Sequence, residues 1–207
     1  MNRRAHWEQV YETKSPDEVS WYQSRPTLSL DLIEATGAEH HSAIIDIGGG
    51  ASTLVDELLA RGYYKLAVLD VAEPALAATK ERLGDSAASV EWYLADITAF
   101  DPPHRWTVWH DRAVFHFLVG ETDRAAYLAA LERSVEPRGH AIIATFGSSG
   151  PPRCSGLPVQ RYSPKELAET IGDGWELVSD RSEEHHTPSG AVQPFVYCHF
   201  RRAEARY

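Results

Sequence analysis

The sequence is poor in sulfur: of 207 residues, two are cysteine and one is methionine. Cys154 and Cys198 form no Cys-x-x-Cys pair, which excludes a disulfide framework and leaves reduced thiols as the expectation. Positive charge is also scarce, with 20 Lys and Arg against 30 Asp and Glu for a formal charge of -10. A surface of that sign repels polyanions, and no basic stripe interrupts it, so no nucleic-acid partner is expected. Long apolar runs are missing: none approaches the ~20 residues of a membrane span. The first residues, Met1 to Trp7, lead into polar sequence rather than a secretory apolar core. A cytoplasmic protein with no membrane partner is expected. What is plentiful is polar-tipped aromatic character, with six Trp, nine Tyr and ten His, on a chain 43% hydrophobic and able to bury a core.

No internal repeat or long linker appears, so one domain over 1–207 is expected. Ala43 to Ile47, Leu66 to Asp70, Val90 to Leu94, Thr107 to Trp109 and His140 to Phe146 read as strands. Helical patterns alternate with them, Leu54 to Leu59 stopped by Gly62, Pro74 to Leu83 stopped by Gly84, and Thr122 to Val135. Parallel neighbours need crossovers, so this alternation predicts an α/β, doubly wound, Rossmann-like sheet with helices on both faces. Ser163-Pro164-Lys165-Glu166 is a capping box opening a helix that ends at Gly172. Trp175 to Val178 and Pro194 to Phe200 follow as β-like runs joined by a polar loop, and are expected to pair antiparallel. Ahead of the sheet, residues 1–40 carry Trp7, Tyr11, Trp21 and Tyr22 and a helix-like run from Pro26 to Thr36, an aromatic cap segment. Residues 41–146 are expected to form a cofactor-binding core, and 147–207 an acceptor loop, a helix and the antiparallel strands.

Asp46-Ile47-Gly48-Gly49-Gly50-Ala51-Ser52 lies where the first strand turns into a helix, a place where backbone approaches a ligand closely. Asp70 ends the second strand, placed to accept both hydroxyls of a ribose. The dinucleotide fingerprint fails, because the third glycine position counted from Gly48 is Thr53. The chain resembles instead the class I S-adenosylmethionine-dependent methyltransferases, whose first motif is an acid followed by Gly-x-Gly-x-Gly. Asp46, Gly48 and Gly50 match, Ser52 replaces the last glycine, Asp70 with Val71 matches the ribose-binding acid, and Asp96-Ile97 matches the residues beside adenine. The turn Glu136-Pro137-Arg138-Gly139 is similar to the one the family places before its fifth strand. The resemblance implies a seven-stranded sheet, mostly parallel with the last strand antiparallel, S-adenosylmethionine as cofactor, and a place for Trp21 beside it.

Methyl transfer from a sulfonium is an in-line displacement, in which the enzyme holds the nucleophile near the methyl carbon and excludes water. The methyl end is expected at the end of the fourth strand, where Trp109-His110-Asp111-Arg112 and His116 stand. This run is similar to Trp-Asp-Arg-Gly of thiopurine methyltransferase and to Asp-Lys or Asp-Arg of seven-strand lysine methyltransferases, with His110 inserted and Ala113 where glycine is common. Asp111 and Arg112 are expected to shape the pocket, and His110 or His116 to relay a proton from the acceptor. Tyr11, Tyr22, Arg153, Cys154 and Tyr162 are the expected contacts to a small-molecule acceptor, with the Cys154 thiol lowered in pKa beside Arg153. No metal ligand set is expected. A protein-lysine methyltransferase, a thiol or metalloid methyltransferase using Cys154, and a non-catalytic adenosyl-ligand protein stand as alternatives.

Overall fold

The computed structural model describes residues 2–204; position 1 and positions 205–207, which the expected outer segments include, lie outside the described residues. The sheet core consists of β1 (Ile44–Ile47), β2 (Leu66–Asp70), β3 (Val90–Leu94), β4 (Trp106–Arg112) and β5 (Val135–Phe146). Two C-terminal strands complete it, β6 (Trp175–His186) and β7 (Val192–Arg202). The seven strands lie in the order β3-β2-β1-β4-β5-β7-β6. The first five run parallel, while β7 pairs antiparallel with both β5 and β6. β1 and β2 are buried along their whole length, and their aliphatic residues supply that burial on both faces, as a covered parallel sheet requires.

Among the described residues six α-helices accompany the sheet: α1 (Arg3–Thr13), α2 (Thr27–Ala35), α3 (Leu54–Ala60), α4 (Glu73–Leu83), α5 (Glu121–Ser134) and α6 (Pro164–Ile171). One face of the sheet packs against Leu30 and Ile33 of α2, Leu54 and Leu58 of α3 and Leu76 of α4. The other takes Tyr127 and Leu131 of α5 with Leu167 and Ile171 of α6. The capping box is present as expected, with Glu166 N–H donating to Ser163 Oγ and Ser163 N–H donating to Glu166 Oε2. Among the described residues no helix is long and apolar enough to cross a membrane.

Four strands differ from the expectation. β4 runs on through His110, Asp111 and Arg112, because each polar side chain finds a partner inside the fold, so the sheet need not end at Trp109. β5 starts at Val135 and takes in the turn Glu136 to Gly139, with a register shift against β4 between Trp106 and Val108. The last two strands are longer than the apolar runs suggested. His185 and His186 are paired in β6, and the turn shrinks to the segment closed by Thr187 N–H donating to the Ala191 carbonyl.

Candidate functional site

The chain reverses direction of travel across the sheet between β1 and β4, and ligands of open α/β sheets bind outside the strand ends at such a switch point. Here an open cavity of about 720 Å³ lies over the ends of β1 to β4, bordered by Gly48, Asp70, Val71, Asp96, Ile97 and Arg112. A second, of about 520 Å³, opens on the other side of the glycine loop, bordered by Tyr22, Ser29, Asp46, Ser52 and His110. Tyr11, Trp21, Gly48 and Arg112 border both.

The glycines of the loop are required by crowding as much as by ligand approach. Gly48 has a φ of +68°, and a Cβ there would run into Val114. A Cβ on Gly49 would meet the Asp46 carboxylate, and one on Gly50 the Asp70 carboxylate. Gly50 N–H donates to Asp70 Oδ2 at 3.0 Å and Ala72 N–H to Asp70 Oδ1 at 2.8 Å, so Asp70 ties the loop to the end of β2. Burial pushes Asp70 up to about 6 despite those donors. Ser52 Oγ accepts from Leu54 N–H at 3.1 Å at the start of α3.

The His-Asp-Arg run divides between the two faces of the sheet, as the twofold period of a strand dictates. His110 stands beside Asp46 of β1 in register, with Nδ1 2.7 Å from Asp46 Oδ1 and Nε2 2.9 Å from Ser29 Oγ. Both of its ring nitrogens are therefore engaged. Asp111 points the other way. Its carboxylate accepts from Tyr127 Oη at 2.6 Å and from the N–H groups of Val114 and Phe115, and burial lifts it to about 6. It borders neither cavity and instead holds the turn in which Ala113 adopts a φ of 71°. Arg112 Nε donates to Tyr197 Oη at 2.7 Å and Nη1 to the Trp21 carbonyl at 2.8 Å, with the guanidinium over the Phe195 ring. Its Nη2 has no hydrogen bond and lies 3.5 Å from Glu183 Oε2, and Asp46 Oδ2 likewise is buried without a partner.

The N-terminal segment covers this site. Trp7 meets Trp21 and Phe117 edge to face with centroids 5.6 and 4.9 Å apart, and Tyr11 meets Trp21 at 6.2 Å. Burial and the nearby Asp70 raise the Tyr11 pKa, keeping its hydroxyl protonated. Arg3 donates to Asp96 Oδ2 at 2.9 Å and also pairs with Asp123. Burial would raise the Asp96 pKa, but the Thr98 N–H and hydroxyl and the Arg3 guanidinium hold it below the usual carboxylate range.

A family model described as a methyltransferase domain matches residues 44–139, the stretch from β1 to the turn within β5. That stretch is a methyltransferase domain, consistent with the class I S-adenosylmethionine-dependent methyltransferases. The methyl donor of this methyltransferase is S-adenosylmethionine, and the crowded glycines, Asp70 and the two atoms on Asp46 and Arg112 that lack a hydrogen bond fit such a molecule. No curated protein matches the chain in sequence. Solved structures share its fold. One, from work on the conversion of a disulfide bond into a thioacetal group during echinomycin biosynthesis, has 18% identity and a TM-score of 0.80, over 98% of this chain and 93% of that one. The N-methyltransferase NodS from Bradyrhizobium japonicum WM9, in complex with S-adenosylhomocysteine, has 17% identity and a TM-score of 0.74, over 95% and 98%. The 1,6-didemethyltoxoflavin-N1-methyltransferase of Burkholderia thailandensis has 18% identity and a TM-score of 0.69, over 97% and 84%.

Several expected contacts lie elsewhere in the methyltransferase. Arg153 is exposed and donates to the Gly156 carbonyl of its own small hairpin, so it does not act on Cys154. Cys154 is buried 3.9 Å from Ser20 Oγ, and burial pushes its thiol up rather than down, contrary to the expectation. Tyr162 packs its ring against Phe115 with centroids 5.6 Å apart. None of the three borders either cavity. His116 sits among Phe117, Phe146 and Phe195 and accepts the Phe146 N–H at Nδ1; burial and Arg112 depress it to about 3. Among the described residues no cluster of three or more His, Cys, Asp or Glu could hold a metal ion. Arg3, Ser29 and Phe117 also border the cavities and carry no signal in the sequence. Each looks like an ordinary surface or helix residue until the chain is folded.

Proposed function

We propose that this methyltransferase methylates a small-molecule acceptor by in-line displacement at the aromatic end of the first cavity. The observation that carries the reading is the pair of buried atoms without a hydrogen bond beside the glycine loop, Asp46 Oδ2 and Arg112 Nη2, the latter in ionic contact with Glu183 at 3.5 Å. An acceptor and a donor left unsatisfied at one site suit an α-amino acid, with its ammonium on Asp46 and its carboxylate on Arg112. Asp70 would take the ribose hydroxyls, and Val71, Asp96 and Ile97 would border the adenine. The bound donor supplies an electrophilic methyl group. Ala113, Phe117, Trp7 and Trp21 would wall the reacting end and exclude water.

Proton transfer finds no free base there. His110 is engaged at both nitrogens, Asp111 accepts from Tyr127 and two backbone N–H groups, and His116 is depressed to about 3. The acceptor would therefore bring its own free lone pair, and Tyr11 and Tyr22 would guide it. The small-molecule reading is supported by a structural neighbour that is a 1,6-didemethyltoxoflavin-N1-methyltransferase with 1,6-didemethyltoxoflavin bound. Calorimetry with S-adenosylhomocysteine tests the donor site, and transfer of labelled methyl to a metabolite extract rather than to protein tests the acceptor class. Absence of binding overturns the first, and label confined to protein overturns the second.

A further inference from the structure

We propose that Ser29 and His110 are positioning residues that hold the Asp46 carboxylate for the amino-acid tail of the methyl donor. The inference rests on the donor-site reading given above. Parallel pairing sets Asp46 of β1 beside His110 of β4, and the first turn of α2 lays Ser29 over them. A carboxylate oxygen only accepts, so in the tautomer that joins all three groups Nδ1 of His110 carries the ring proton toward Asp46 Oδ1, 2.7 Å away. Nε2 is then the acceptor, and the Ser29 hydroxyl donates to it across 2.9 Å. The relay occupies one carboxylate oxygen and fixes the rotation of the group. The other oxygen, Oδ2, is left beside the glycine loop with no donor. A buried carboxylate oxygen without a donor is costly, and an ammonium is the group that satisfies it with charge as well as hydrogen bonds.

The order and the distances are also those of a Ser-His-Asp nucleophilic triad. Two observations favour positioning. Ser29 has no exposed surface, and the unsatisfied atom is at the carboxylate end of the relay, not at the hydroxyl.

The test compares two ligands, S-adenosylhomocysteine and 5′-methylthioadenosine, which keeps the adenosine and the sulfur but has no amino-acid tail. Calorimetry on the full chain, on Ser29→Ala, His110→Leu and His110→Asn, reads both affinities. S-adenosylhomocysteine is expected to bind roughly tenfold more weakly to Ser29→Ala and His110→Leu, the loss of about one charge-assisted hydrogen bond. Affinity for 5′-methylthioadenosine stays unchanged, which also certifies the fold of each variant. His110→Asn, whose side-chain N–H replaces Nδ1–H toward Asp46, recovers most of the loss. Equal losses for the two ligands overturn the proposal, as does hydrolysis of p-nitrophenyl acetate that depends on Ser29, which would make the serine a nucleophile. If the unsubstituted chain binds 5′-methylthioadenosine but not S-adenosylhomocysteine, the tail site is wrong; if it binds neither, the donor-site reading itself fails and the relay's role with it.

Discussion

Arg3 and Asp96 are 93 residues apart in the chain and 2.9 Å apart in the structure. The pair joins the start of α1 to the end of β3, so the helix that carries Trp7 and Tyr11 lies across the cavity like a strap. Both side chains are about a third exposed, at 28% and 31%, which limits the pair to ~1 kcal/mol or less. Arg3→Ala is expected to speed dissociation of S-adenosylhomocysteine by about three- to fivefold with little change in melting temperature. Stopped-flow displacement read through Trp7 and Trp21 fluorescence measures this, and an unchanged off-rate shows that α1 is held by its aromatics alone.

The Tyr127 hydroxyl donates to Asp111 and accepts from Trp109 Nε1–H at 3.0 Å, all of it buried. Tyr127→Phe strips one donor from a carboxylate that burial already lifts to about 6 and leaves the indole N–H unpaired. A loss of roughly 2–3 kcal/mol in unfolding free energy is expected. Since Asp111 anchors the Val114 N–H, and Val114 touches the glycine loop, donor affinity is expected to fall as well. Urea denaturation and calorimetry on the same variant check the two effects.

Gly49 has Asp46 where its side chain would be. Gly49→Ala has to displace that carboxylate, breaking its alignment with His110, at a cost of about 1–3 kcal/mol for an overpacked site. The expected result is a folded protein whose affinity for S-adenosylhomocysteine drops by more than about tenfold. Wild-type affinity in this variant removes Asp46 from the binding site.

Asp70 gives donor binding a pH dependence. Its ordinary value is 3.8, and burial raises it to about 6 in the folded protein. Protonation of Asp70 therefore stabilises the ligand-free fold; that contribution is complete below 3.8 and is lost as pH rises through about 6. A ribose diol donates to the ionised form, so binding has to expel the proton wherever Asp70 is protonated. Affinity for S-adenosylhomocysteine is expected to weaken as pH falls through about 6, approaching tenfold per pH unit. Asp70→Asn binds weakly with a flat profile in the same titration, and an unchanged acid limb in that variant assigns the dependence to another group.

Much of the architecture is local and was legible before folding. Short aliphatic runs alternating with amphipathic stretches announce parallel strands and crossovers, and Gly48 to Gly50 between Asp46 and Asp70 marks the cavity. Strand length was harder to read at β4 and β6, since His110, Asp111, Arg112 and His185 look like loop residues by composition. They belong to strands because partners far away in sequence, Ser29, Tyr127, Tyr197 and the Ser20 carbonyl, satisfy them.

By itself the sequence determined an α/β alternation, its turns and the order of its motifs. All of these follow from periodicity, turn chemistry and spacing within a few tens of residues. Only the tertiary structure decided what the polar residues do. The twofold period of β4 sends His110 and Arg112 to one face and Asp111 to the other, and burial turns Cys154 and His116 into neutral packing groups. Pairing across the fold leaves Asp46 Oδ2 and Arg112 Nη2 as the unsatisfied atoms beside the glycine loop. Reactivity depends on desolvation and on partners brought together by folding, and neither is a property of the residue type.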